Sequence, residues 1–106
     1  MKKALVKIHD VEAGTLTEVT TQHYTFQYLN GYKGAPVSLT MPIQDEAYEY
    51  ASFPSFFEGL LPEGIQLLGL LKAHKIDKKD YFEQLLAAGS DLVGAVTVEK
   101  INTHGS

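Results

Sequence analysis

Cysteine and tryptophan are both missing from this chain of 106 residues. Without cysteine there is no disulfide framework, no thiolate metal site and no cysteine nucleophile. No run of about eighteen apolar residues occurs, so a membrane-spanning helix is not expected. The start, M-K-K-A-L-V-K-I-H-D, is basic, but its apolar run breaks at Lys7 and no cleavage site follows, so it does not read as a secretory signal. Positive charge is also scarce: the formal net charge is −4, and lysine doublets occur only at Lys2-Lys3 and Lys78-Lys79. That balance argues against direct binding to a nucleic-acid backbone. These absences remove the main evidence for secretion and argue against a membrane span or a phosphate-backbone binder acting alone; the expected address is cytoplasmic.

Catalytic signatures are equally absent. There is no G-x-S-x-G elbow, no phosphate-binding G-x-x-x-x-G-K-[ST] and no kinase glycine-rich loop. His9, His23, His74 and His104 lack metal-ligand spacing. Ser38, Ser52, Ser55 and Ser90 each have a turn, strand or cap explanation. Asp10, Glu12, Asp45 and Glu46 read as solvated charge on surface turns. The expectation is a non-enzymatic binding protein with no metal and no cofactor.

What is present suffices for one domain. At this length roughly two-thirds of the surface can be buried, and the 44% hydrophobic content is ordinary. Ala4, Val6 and Ile8 alternate as a first strand, followed by turn chemistry over Asp10 to Gly14. Thr15 to Thr21 and then Tyr24, Phe26 and Tyr28 read as further strands. Val37, Leu39 and Met41 alternate as a short segment ended by Pro42. Gln44 to Tyr50 is a loop or a short strand.

The densest apolar stretch is Phe53 to Ile65, F-P-S-F-F-E-G-L-L-P-E-G-I. Ser55 with Glu58 fits a capping box for a short helical turn, and Gly59 ends it. Pro62 suits the first position of a second helix, running to about Lys75. Its Ile65, Leu67, Leu68, Leu70 and Leu71 spread over more than half of the helical wheel, wider than one core contact needs. Such a helix is either sandwiched inside the domain or meets a partner chain. His74 falls at its C-terminal end. Asp77 then reads as the cap of a third helix carrying Tyr81, Phe82, Leu85, Leu86 and Ala88, with Gly89 at its end. Leu92 to Ile101 returns to strand character. The order predicts an α+β fold: a small antiparallel β-sheet with two to three helices packed on one face. Residues 1–101 form the single domain expected, with 102–106 a disordered tail.

Three stretches, V-S-L-T-M-P-I (Val37–Ile43), S-F-F-E-G-L-L-P-E-G (Ser55–Gly64) and D-L-V-G-A-V (Asp91–Val96), resemble the N-terminal subdomain of HipA-type serine/threonine kinase toxins. A free-standing subdomain of this kind is similar to the HipS family, the small antitoxins of tripartite HipBST systems. The resemblance implies an antitoxin that binds and inhibits a HipT-like serine/threonine kinase. A HipB-like helix-turn-helix DNA-binding protein would join a ternary complex through that kinase. The alternative is a structural subunit that completes a split HipA-like kinase and supports its folding or activity. The kinase-binding residues expected are Phe57, Glu58, Leu61, Pro62, Glu63, Gly64, Ile65 and Gln66. Ile65 and Gln66 stand where many relatives carry a bulky aromatic and a basic residue. Capping is the competing role for Glu58 and Glu63.

Overall fold

The computed structural model describes residues 1–92 and 94–101. Among these, five strands form one antiparallel sheet. They are β1 (Lys2–Ile8), β2 (Val11–Thr20), β3 (His23–Tyr28), β4 (Tyr48–Tyr50) and β5 (Val96–Ile101), in the order β4-β3-β2-β1-β5. Three helices, α1 (Ser55–Glu58), α2 (Gly64–His74) and α3 (Tyr81–Ala88), lie between β4 and β5 in the chain.

The period-2 patterns fall on the sheet as read. Ala4, Val6 and Ile8 of β1, Leu16 of β2, Tyr24, Phe26 and Tyr28 of β3, and Val96 and Val98 of β5 are buried together. On the other face Lys3 stands opposite Thr17 and Ile101, and Thr15 opposite Leu5 and Gln27. Lys7 pairs with Glu99 there at 2.7 Å. One face is thus apolar and covered, the other polar and open, as antiparallel sheets allow.

The first reversal is tighter than the Asp10–Gly14 turn expected. His9 and Asp10 alone make it, with φ of 50° and 66°. Positive φ at both positions belongs to a two-residue primed turn, whose twist matches the flanking strands. β2 therefore begins at Val11 and holds Gly14 inside the strand. A Cβ at Gly14 would stand 2.6 Å from the Gln27 carbonyl oxygen and 2.6 Å from the Phe26 ring. Glycine is there because an aromatic ring crosses its backbone, a tertiary reason that a turn reading cannot see.

Other boundaries also shift. The alternating Val37–Met41 segment is not a strand; it makes a single bridge between Ser38 and Met41, and its own side chains hold it as a turn. Of Gln44–Tyr50 only the last three residues pair, with β3. Pro54, not Ser55, takes the cap position of α1, and its carbonyl accepts from the Phe57 and Glu58 N–H groups at 3.1 Å each. No Ser55–Glu58 capping box forms. α2 starts at Gly64, two residues after Pro62. Asp80 rather than Asp77 caps α3, accepting from the Glu83 N–H at 3.3 Å. Asp77 instead accepts from the Lys79 N–H at 2.8 Å, closing the preceding turn. β5 begins at Val96 rather than near Leu92. The expected tail, 102–106, lies outside the described residues.

α3 carries the covering layer. Phe82 and Leu85 are essentially fully buried. So is Gln84, whose amide donates to the Asp77 carbonyl at 3.1 Å, which removes the cost of burying it. Phe82→Ala and Leu85→Ala should each lose about 2–5 kcal/mol of stability by chemical denaturation. Gly14→Ala should cost about 1–3 kcal/mol through overpacking. Unchanged midpoints would show that these sites are not packed as described.

Burial also holds three tyrosines protonated beyond their usual range. Tyr24 is pushed up to about 12 by desolvation and its hydrogen bond to Glu18, and Tyr28 and Tyr50 rise mainly by desolvation. The folded pKa of each exceeds the unfolded one, so the folded chain keeps protons that the unfolded chain releases. Stability is therefore fully present below pH 10 and falls as pH rises from there towards about 12. Ultraviolet titration should show tyrosine ionisation that is delayed past pH 10 and coincides with alkaline unfolding.

Candidate functional site

The Phe53–Ile65 stretch builds a rigid corner whose inside and outside are chemically distinct. α1 is a single turn, too short to stand alone. Its Phe57 ring lies 5.7 Å from Phe26 and 5.1 Å from Phe56, with no exposed surface. Phe53 sits 5.6 Å from Tyr24 and 5.7 Å from Tyr81, tying the approach to α1 to both β3 and α3. Leu61 is buried as well. The chain leaves α1 through backbone bonds from Gly59 N–H to the Ser55 carbonyl at 3.0 Å and Leu61 N–H to the Glu58 carbonyl at 3.1 Å.

Beyond Leu61 the chain turns outward. Pro62 is half-buried, and Glu63, Gly64, Ile65 and Gln66 are exposed. Gly64 has φ of 61°, a left-handed value that favours glycine, and open space where a Cβ would point. Glycine thus suits the entry into α2, independent of any partner. Glu63 holds the cap position of α2, yet its carboxylate makes no capping bond. The capping role expected for Glu58 and Glu63 is therefore not observed, and both side chains face solvent.

α2 is the unusual element. None of its residues is buried. Ile65 is 86% exposed and Leu68 65% exposed. Leu67, Leu70 and Leu71 are half-buried, and the helix packs chiefly on α3. The sandwiched alternative is excluded: one side of the wide apolar stripe rests on the domain and the other faces water. Nothing lies within 4 Å of the Cβ position at Gly69, so the outer side has a flat notch. Its C-terminal turn carries Lys72 and His74, with Lys75 in a left-handed cap, all exposed.

Of the residues expected to touch a partner, Glu58, Glu63, Gly64, Ile65 and Gln66 are accessible, and Pro62 partly so. Phe57 and Leu61 are core residues that hold the corner and have no surface to offer. Leu68 was not among those expected, although the width of the leucine stripe signals it. Among the described residues no group of three or more His, Asp or Glu side chains could hold a metal ion. No helix there is long and apolar enough to cross a membrane.

A family model described as the HipA N-terminal domain matches residues 4–99. The chain belongs to this family. A solved structure, the N-terminal domain of HipA toxin, superposes on the HipA N-terminal domain described here with a TM-score of 0.76. It is 26% identical, and the match covers 98% of this chain and 96% of that one. An uncharacterised protein of Haemophilus influenzae (strain Rd) is 31% identical over 77 residues, 73% of each chain. The HipA N-terminal fold, with its five-stranded antiparallel sheet and three helices, is therefore shared.

The exposure of Ile65 and Leu68 gives a direct test. Ile65→Asp and Leu68→Ser should each move the melting temperature by no more than about 4 °C, as exposed positions do. A larger fall in thermal unfolding would place these side chains in the core.

Proposed function

We propose that this HipA N-terminal domain is an antitoxin that binds a HipT-like serine/threonine kinase and inhibits it by direct contact. The observation that carries this reading is the apolar outer face of α2, presented on a corner locked by Phe57. Isolated apolar side chains on a surface are common, but a helix with an exposed isoleucine and leucine and no buried residue at all is an incomplete contact. Helix-in-groove docking uses such i, i+3 anchors.

In this reading Ile65 and Leu68 enter an apolar groove of the kinase near its nucleotide or substrate cleft. Glu63 and Glu58, with uncapped carboxylates, face basic groups beside it. Gln66 lies on the rim. The corner is ordered before docking, so little conformational entropy is lost on binding. The domain itself performs no chemistry. The protein works in the cytoplasm, and a HipB-like helix-turn-helix protein joins through the kinase.

A second reading has its own support. The similar solved structure is a domain of HipA toxin. A module of that kind is compatible with a subunit that completes a split kinase and raises its activity. Both readings use the same face and differ in sign. Adding the purified chain to its cognate kinase should suppress substrate phosphorylation, and co-expression should restore growth. Rising phosphorylation would favour the subunit reading instead. Ile65→Asp places an unpaired charge in the apolar contact, which costs several kcal/mol once desolvated. Binding and rescue should fall by at least about tenfold, the scale of a hot-spot loss. A folded Ile65→Asp chain that inhibits as well as wild type would remove α2 from the interface.

A further inference from the structure

The stretch V-S-L-T-M-P-I (Val37–Ile43) lies outside α1 and α2. In the fold it is a rigid turn that carries one solvent-facing leucine. Val37 and Met41 are buried, while Leu39 between them is 98% exposed. The Tyr28 hydroxyl clamps both ends: it accepts from the Val37 N–H at 2.9 Å and donates to the Met41 carbonyl. Across the turn, the Met41 N–H donates to the Ser38 carbonyl at 3.1 Å. The Ser38 hydroxyl accepts from the Thr40 N–H at 3.2 Å and lies 2.9 Å from the Thr40 hydroxyl. The turn is thus fixed by bonds that leave Leu39 nothing to do for the fold.

The surroundings specify what it fits. Ile43, also exposed, follows in the segment leaving the turn. Asp45 and Glu46 come next, both exposed, while Glu49 lies opposite Thr25 on the open sheet face, 3.1 Å from His23. The Tyr48 hydroxyl donates to the Pro42 carbonyl and the Gln27 amide to the Asp45 carbonyl at 2.9 Å, so this acidic segment is held against the sheet. On its other side the base of the turn faces α1: Thr40 and Met41 share a cleft of about 190 Å³ with Pro54, Ser55 and Phe56. The turn and the corner leading to α2 are therefore neighbours.

We propose that Leu39 is a second anchor for the same kinase, entering an apolar pocket with a basic rim that complements Asp45 and Glu46. This rests on the kinase-binding reading above. A pre-ordered side chain loses little entropy on docking, and acidic residues in the segment that follows steer encounter with a basic partner.

The test measures affinity of the full chain for its purified cognate HipT-like kinase, with melting temperature in parallel. Leu39→Ser should weaken binding by about tenfold or more at an unchanged melting temperature. Leu39→Met, which keeps apolar volume, should bind within about threefold of wild type. Asp45→Asn with Glu46→Gln should slow association and flatten its salt dependence. Wild-type affinity in Leu39→Ser, with binding lost in Ile65→Asp, would overturn the second anchor and leave the kinase reading intact. A Leu39→Ser chain that unfolds would overturn it too, by making Leu39 structural. No binding by the wild-type chain would end both.

Discussion

Phe57 packed on Phe26 is the contact that the exposed half of the molecule depends on. α1 has a single turn of hydrogen bonds, and helix formation over so few residues is unfavourable by itself. Burying an aromatic side chain of this size supplies roughly 2–3 kcal/mol, enough to hold that turn in place. Phe26 in turn needs the missing Cβ of Gly14. A chain of three residues on separate elements therefore sets the direction in which Pro62, Glu63 and α2 leave the core.

The two outward-facing features share a design. In each, buried residues anchor the chain next to an exposed apolar one: Phe57 and Leu61 precede Ile65, and Val37 and Met41 flank Leu39. In each, backbone geometry is held by bonds that do not involve the exposed side chain. The core supplies rigidity, and the exposed side chain is left available for association.

Much of the fold was legible in the residues. Period-2 alternation located β1, β3 and β5, because a half-buried strand must put every second side chain inside. Helical spacing located α3 for the same kind of reason. The motif F-F-E-G-L-L-P-E-G marked the corner. The boundaries were less legible, because several candidate caps stand close together. Asp77 and Asp80 have the same chemistry, and only the path of the chain decides which one meets the first-turn N–H of α3.

What the residues alone determined was pattern: which faces are apolar, where the chain must turn, and that α2 carries more apolar surface than one contact can cover. Tertiary structure decided which part of that surface stays in water. A helical wheel has no outside until α3 covers one side of it, so the periodicity could not tell Leu68 from Leu70. Val37, Leu39 and Met41 alternate as a short segment, but the Tyr28 hydroxyl, nine residues from Val37, joins the Ser38 hydroxyl in fixing it as a turn with Leu39 outward. Gly14 looked like a turn residue until the Phe26 ring was placed against it. In each case the deciding partner is distant in sequence, and local preference carries no information about it.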